Sequence, residues 1–321
     1  MEQNNSACYF CGSLKNQIDL ETHTNSGVMY TLHECLDCKA QHWTPFKNPG
    51  AEWYERDSRY ASSNIDPDLL PNWHQKKTVD FLNLRGAKIL DVGCGTATFI
   101  HWAQKFDNDV FGIDFSHDAI QTAKNVFKLK NVYSTDLKNF RANFPDLKFN
   151  LISFFDVFEH IDNHKEFLNE IKSSLVLGGH IAMSMPYRLG ARWLMGDDFP
   201  PRHLTRWDRK SLTRYLNQEG FEVLYIRRLS EGVGYLVTKL RRKYGKYFSL
   251  GLIGKMKKKA RKDGKIDLES KEEKDISRVH KLARLKDWVV FGLPALVIYI
   301  AMLLTPKRYI TLFVIAKKKD A

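Results

Sequence analysis

Residues 88–97 (KILDVGCGTA) and 110–114 (VFGID) constrain the fold more than any other part of this chain. Both are dominated by apolar residues, the pattern of parallel strands covered on both faces, and the first runs into Gly93 and Gly95 before a helical pattern resumes. Glycines at these two places let the backbone turn sharply and come close to a ligand. Asp114 closes the second run 23 residues after Asp91, where a lone carboxylate can take both hydroxyls of a ribose. Strand, glycine turn, helix and a second strand ending on an acid imply a pocket for a nucleoside cofactor.

The glycine spacing differs from the dinucleotide fingerprint. Residues 93–98 (GCGTAT) lack a glycine three places after Gly95, so no pyrophosphate cradle is expected and NAD is the weaker reading. Further strands are expected at 131–136 (NVYSTD), 149–156 (FNLISFFD), 178–186 (GGHIAMSMP), 221–227 (FEVLYIR) and 309–316 (YITLFVIA). Helical patterns lie between them, with Ser116 as N-cap before 119–128, Asn163 before 164–175 and Asp208 before 209–219. Alternating strands and helices imply an α/β, doubly wound sheet.

In order and spacing, the glycine turn, Asp114, Asp136 and the 157–160 segment (VFEH) resemble the S-adenosylmethionine site of class I methyltransferases, from about residue 87 to 230. The resemblance implies a Rossmann-like, seven-stranded sheet. It also implies a cofactor site built from Gly93, Cys94, Gly95, Asp114, Phe115, Asp136, Leu137 and Phe155, with the ribose on Asp114 and the adenine amino group near Asp136. Asp91 either touches the cofactor or braces the glycine loop. Glu159 and His160 are similar to the Glu-His signature of small-molecule methyltransferases.

Cys8, Cys11, Cys35 and Cys38 form two Cys-x-x-Cys pairs separated by 23 residues, a spacing suited to two knuckles around one tetrahedral zinc. Disulfides are the alternative. The amino terminus has neither the apolar run nor the basic start of a secretory signal, so zinc and a cytoplasmic location are expected. Four thiolates close such a site and make it structural, leaving His23, His33 and His42 as surface or packing residues. Together with residues 41–46 (QHWTPF), this segment resembles the zinc ribbons that precede the methyltransferase domain in bacterial enzymes of surface-polysaccharide and secondary metabolism.

Tyr54 and Tyr60 lie in a polar stretch before the first strand of the sheet, where aromatic residues either lie over a cofactor or anchor packing. Residues 198–207 (DFPPRHLTRW) resemble the substrate loop of the same methyltransferases. His203 is a candidate general base, because an imidazole titrates near neutrality; alternatively it ties the loop to the sheet edge. His160 either faces substrate or caps the following helix. Arg202 and Arg206 are candidates for holding an anionic substrate.

Residues 239–265 contain twelve Lys and Arg and one acid, a local charge of +11 against +13 for the whole chain. Residues 288–304 are seventeen in a row without a charge, at the short limit for crossing a bilayer. The strand at 309–316 must rejoin the sheet, so a single crossing is unfavourable. Gly292 and Pro294 suggest instead a re-entrant or in-plane element at the inner face of the cytoplasmic membrane, and a buried helical hairpin is the alternative.

The expected organisation is a zinc ribbon over 1–46, a helical lid or linker over 47–86, a methyltransferase domain over 87–230 plus 309–321, and a membrane-associating insertion over 231–308. The expected activity is methyl transfer, by O-methylation, to a small-molecule, glycan-precursor or lipid acceptor. An RNA methyltransferase using the ribbon and the basic run is the alternative. Residues 153–156 (SFFD) lack the turn that methylates exocyclic base amines, which weakens that alternative. A sugar C-methyltransferase and a non-catalytic scaffold are further alternatives.

Overall fold

A computed structural model describes residues 7–23, 27–56, 71–188, 199–230, 232–244, 272–304 and 309–319. The chain divides into two compact units, Met1–Leu229 with Ile310–Ala321, and Ser230–Tyr309. In the first unit the strands β1 (Asn16–His23), β2 (Met29–Cys35) and β3 (Gln41–Thr44) are followed by helices α1 (Ala51–Arg56) and α2 (Trp73–Leu82). Strand and helix then alternate through β4 (Lys88–Val92), α3 (Thr98–Ala103), β5 (Asp109–Asp114), α4 (His117–Phe127), β6 (Val132–Ser134), α5 (Leu137–Asn143), β7 (Phe149–Phe155), α6 (His164–Ser174) and β8 (Leu175–Pro186). The short β9 (Thr205–Arg206), α7 (Arg209–Gln218), β10 (Phe221–Ser230) and β11 (Tyr309–Lys318) complete the order.

The main sheet runs β10-β11-β8-β7-β4-β5-β6. From β8 to β6 the neighbours are parallel, and β11 pairs antiparallel with β8. This is the Rossmann-like doubly wound sheet that the sequence implied. The chain winds outward from β4 through β5 to β6, then returns to β7 on the other flank of β4. A crevice therefore opens at the carboxyl ends of β4 and β7, where ligands bind in sheets of this kind.

Alternation along each strand sorts the core into two layers. Leu90, Val92, Phe111, Ile113, Ile152, Phe154, Met183 and Val314 meet α5, α6 and α7 through Phe140, Leu168, Ile171 and Leu212. Their neighbours Ile89, Val110, Leu151, Ala182 and Phe313 meet α2, α3 and α4 on the opposite face through Val79, Phe99, Ile100 and Ile120. Ser116, Asn163 and Asp208 cap α4, α6 and α7 as expected, their side chains accepting from the backbone amides of Ala119, Glu166 and Ser211.

The cysteine segment is built into the first of these layers. Strands β1, β2 and β3 make an antiparallel sheet that is completed by β9, from a loop more than 160 residues later, through Gln41 opposite Arg206 and His42 opposite Thr205. Phe10 sits edge-on to Trp207 at 4.7 Å and to Tyr215 at 5.4 Å. Cys8, Cys35 and Cys38 belong to the same apolar cluster as β4 and β7.

In the second unit, α8 (Val233–Tyr244) and α9 (Glu272–Leu303) pack through Leu236 and Val237 against Phe291 and Ala295. Residues 288–304, all but the last, belong to α9, which continues through Pro294. Contacts of Phe291 and Ala295 with α8, on either side of the proline, favour one continuous helix over a break. Val289, Leu293, Val297 and Ile300 stay exposed. Most of the basic run, residues 245–265, and Tyr60, Lys307 and Arg308 lie outside the described residues.

Candidate active site

The crevice holds a cavity of about 860 Å³, a size that suits a small ligand. Its first wall is the glycine turn after β4. The amides of Gly93 and Cys94 both donate to the carbonyl of Ile113, at 2.8 and 3.0 Å, tying the turn to the end of β5. Gly93 has φ +70°, and a Cβ there would stand 2.5 Å from Val157 Cγ2, so the position requires glycine twice over. Gly95, at φ +52°, has open space where its Cβ would be, which leaves its backbone bare to a ligand.

Asp114 ends β5 opposite that turn. Its Oδ2 accepts from Gly95 N and its Oδ1 from Ser116 N, each at 2.8 Å. Backbone amides thus aim both oxygens, and each keeps lone-pair capacity for a ribose hydroxyl. Burial raises the carboxyl above its ordinary range, while the amides of Ser116, Gly95 and Phe115 pull the other way.

Phe115, Asp136, Leu137 and Phe155 also line the cavity. Asp136 caps α5, with Oδ1 accepting from Asn139 N at 2.7 Å and Oδ2 from Asn139 Nδ2 at 2.8 Å. Asp114, Asp118, Asp136, Asp156, Glu166 and Glu170 border the space with Lys138 as the cation among them, a balance that favours a positively charged ligand such as a sulfonium. The residues present therefore fit S-adenosylmethionine.

Two members of the expected cofactor set lie outside the lining. Asp91 is buried, and its Oδ1 accepts from Ser153 Oγ at 2.6 Å. This bond ties β4 to β7. Cys94 turns its thiol inward, where a Cβ on Gly112 would come within 2.9 Å of its Sγ, and burial pushes that thiol's pKa up.

Beyond Asp156 a turn of 3-10 helix, Phe158–His160, carries the Glu-His pair. Its His160 lines the cavity, while Asn163, not His160, caps α6. His160 Nδ1 lies 2.5 Å from the carbonyl of Arg202; a carbonyl only accepts, so Nδ1 carries the proton. Burial, and then the neighbouring His203, push the pKa of His160 down to about 3, so the ring is neutral. His203 lies behind it, outside the lining, with ring centroids 5.0 Å apart. Arg202 and Arg206 are buried, and Arg206 donates to Gln41 Oε1 at 2.7 Å, holding the ribbon rather than facing the cavity.

Tyr54 reaches the same end of the cavity, its hydroxyl 3.3 Å from His160 Nδ1. Asn48 donates to the carbonyl of His160 at 2.7 Å and also lines the space. Asn48, Val157 and Ile161 are lining residues that sequence reasoning missed. Nothing in their local pattern marks them, because they are brought in by the chain's path over the crevice.

At the ribbon, Cys8 and Cys38 Sγ are 3.7 Å apart and Cys11 and Cys35 Sγ 3.6 Å apart, all four within 4.8 Å of one another. A disulfide would need about 2.05 Å. Four thiolates about 2.3 Å from one tetrahedral ion stand roughly 3.8 Å apart, so the set fits zinc. Each pair lies in a tight turn: Gly12 N donates to Cys8 O and Lys39 N to Cys35 O, with φ +73° at Gly12 and +63° at Lys39. The amides of Phe10 and Cys38 point at Cys8 Sγ and Cys35 Sγ, both at 3.4 Å. His33 and His42 are buried packing residues, stacked on one another at 5.3 Å.

Residues 67–226 match the methyltransferase domain family. The chain belongs to the class I methyltransferases. The ubiquinone biosynthesis O-methyltransferase of Proteus mirabilis (strain HI4320) is 21% identical to it over 155 residues, which cover 47% of this chain and 61% of that enzyme. The mitochondrial ubiquinone biosynthesis O-methyltransferase of Candida albicans is 29% identical over 169 residues, covering 47% and 51%. This methyltransferase thus spans less than two thirds of the length of these curated relatives. Among solved structures, the cyclase SpnF matches with a TM-score of 0.50 at 16% identity, covering 84% of this chain and 96% of that one. That likeness concerns the fold.

Proposed function

We propose that this methyltransferase binds S-adenosylmethionine at the glycine turn and Asp114 and passes its methyl group to an oxygen of a small acceptor. The observation that carries the reading is Asp114, with both oxygens fixed by backbone amides beside the bare backbone of Gly95. S-adenosylmethionine, when bound, supplies an activated methyl on sulfur. Gly93 and Gly95 admit the cofactor, Asp114 holds its ribose, and Asp136 with Leu137 borders the adenine. His160 and Tyr54 stand at the acceptor end, and Val157 and Ile161 shield it from water. Positioning of this kind contributes much of the rate when the reacting group is already activated. The two curated relatives are both O-methyltransferases, which favours an oxygen acceptor.

Isothermal titration of S-adenosylmethionine with wild type and Asp114→Ala tests the site. Loss of a charged partner to two hydroxyls should weaken binding by about 1.5–3 kcal/mol, roughly 10- to 150-fold. Equal affinity in the two proteins removes the assignment.

The cysteine set is read as a structural zinc site, and the second unit as a membrane-surface attachment for a glycan-precursor or lipid acceptor. In support, Leu285–Leu303 is a 19-residue apolar stretch of mean hydropathy 1.6 that is only 22% buried, unlike a core helix. The insertion leaves from β10 and returns to its sheet neighbour β11, which favours attachment at one face over crossing. Basic residues of 239–265 add attraction of about 1 kcal/mol each near an anionic surface. Flotation with anionic liposomes should recover the protein, and high salt should reduce the recovery. Recovery indifferent to both salt and lipid charge overturns the electrostatic part.

A further inference from the structure

Both connections to the insertion leave the first unit from one edge of the main sheet. Thr311, near the start of β11, lies opposite Pro186, the last residue of β8, and Lys317 lies opposite His180 nearer that strand's beginning. The amide of Lys319 donates to the carbonyl of Gly220 at 2.9 Å, so the end of β11 meets the start of β10. β10 therefore finishes, and β11 begins, at the carboxyl end of β8, the edge on which the crevice opens. Only the steps from Ser230 to Val233 and from Leu303 to Tyr309 separate the sheet from α8 and α9. An extended chain covers at most about 3.3–3.6 Å per residue, so the apolar end of α9 stays within roughly 22 Å of this edge.

The flank of the edge formed by β8, β11 and β10 carries side chains that suit a bilayer surface. Arg227 is exposed, and its guanidinium carbon stands 5.5 Å from the ring centre of Trp73, itself exposed at the first residue of α2. Arg228 stands 5.4 Å from the ring centre of Tyr187 and donates to its hydroxyl at 3.4 Å. Phe199, in the loop that follows β8, is exposed as well. Tryptophan and tyrosine rings favour the headgroup level of a membrane, and arginines beside them are drawn to anionic headgroups. The acids Asp118, Asp136, Glu166 and Glu170 that line the crevice come from α4, α5 and α6, not from this flank. Cations thus gather where the insertion joins the sheet, and anions gather around the cofactor.

We infer that this flank of the carboxyl edge is a docking surface for an anionic bilayer, with Trp73, Tyr187, Arg227 and Arg228 at the headgroups, so that the acceptor end of the crevice opens onto the membrane. The inference rests on the membrane-attachment reading of the second unit and adds a contact made by the first. Val289, Leu293, Val297 and Ile300, exposed on α9, supply apolar insertion, and the short connections keep them within reach of the arginine pair. An acceptor held in the bilayer by an apolar chain then presents its hydroxyl to the crevice without leaving the membrane. The substrate class narrows accordingly to amphiphiles, while the acidic side receives the cationic cofactor from water.

Hydrogen exchange read by mass spectrometry on the full chain, alone and with vesicles of phosphatidylglycerol and phosphatidylcholine, locates the contact. Vesicles should slow exchange in 285–303 and, at the carboxyl edge, in 73–76, 186–188 and 199–204. The opposite edge, 83–87 and 144–148, should be unchanged. Arg227→Glu combined with Arg228→Glu should weaken vesicle binding more than about 10-fold, since each cation near an anionic surface contributes roughly fivefold. S-adenosylmethionine affinity, read by titration in the same samples, should change less than about threefold and reports that the variant is folded. Arg227→Gln with Arg228→Gln replaces the pair if that protein loses cofactor binding. Slowed exchange in 285–303 with an unchanged carboxyl edge, or undiminished vesicle binding by the folded double variant, overturns the docking surface and leaves attachment through α9 standing. Exchange unaltered by vesicles throughout the chain strikes the attachment reading itself, and the docking surface with it. Failure of wild type to bind S-adenosylmethionine would instead strike the methyl-transfer reading alone.

Discussion

The two faces of the main sheet are covered by chain of different origin. On one face, α2, α3 and α4 pack Val79, Phe99 and Ile120 against strands that lie next to them in sequence. On the other face, α5, α6 and α7 share the cover with Phe10, Cys8, Cys35 and Cys38 from the start of the chain, and with Trp207 from the loop after β8. The first face is a run of local βα units. The second is closed only when distant segments meet, and the histidine pair lies at that meeting point. Damage to the second face should therefore spread to the acceptor end, whereas the glycine turn is set by the local bonds between β4 and β5.

The largest effect expected from this contrast is that of Cys35→Ser. Removing one of four thiolates should release most of a zinc ion present at about one per chain, because a structural site of this kind contributes of the order of 10 kcal/mol to folding. Cys35 is fully buried in the shared cluster, so the loss should lower the melting temperature of the whole first unit and not loosen the ribbon alone. Elemental analysis and calorimetry check both halves. A full zinc content would mean that other ligands hold the ion, and an unchanged main transition would separate the ribbon from the core and break the comparison.

Phe10→Ala should come next, at about 3–5 kcal/mol, the usual cost of emptying a buried phenylalanine site. The ring is in edge contact with His164, Trp207 and Tyr215, so its loss opens the seam between ribbon, α6 and α7. Urea unfolding measures the loss. A cost below about 1 kcal/mol would mean that the ribbon rests on the sheet without supporting it.

What was legible in the sequence divides along the same line. The strands, the N-caps Ser116, Asn163 and Asp208, the glycine turn and Asp114 are local signals, each fixed by apolar period, capping chemistry or spacing. The cysteine pairs were legible because two short motifs carry their own geometry. Their insertion into the core was not, because the bond between β3 and β9 joins residues 41 and 206 and leaves no local trace. The cofactor roles expected for Asp91 and Cys94 followed from position in the motif, and neither side chain lines the cavity: Asp91 is bonded to Ser153 and Cys94 packs against Gly112. In the insertion, Gly292 and Pro294 lie within one helix, α9, whose Phe291 and Ala295 pack against α8, a contact that no local pattern announces.

The smallest effect belongs to the seam between the two faces, at Asp91. Burial raises its carboxyl from 3.8 to about 7, although the hydroxyl of Ser153 acts in the opposite direction. A raised pKa means that the folded protein binds this proton more tightly than the unfolded chain. The resulting stability is fully present below about pH 4 and is lost as pH rises through about 7. Asp91→Asn keeps an oxygen for Ser153 and removes the titration. Its stability relative to wild type should therefore climb between pH 4 and 7 and level off above, by about 2–4 kcal/mol at most. Urea unfolding of both proteins at pH 5 and pH 8 gives the difference at two points on that curve. A difference that stays flat with pH would mean that Asp91 is charged in the folded protein and satisfied by more than Ser153, and the seam would then be a polar site in its own right.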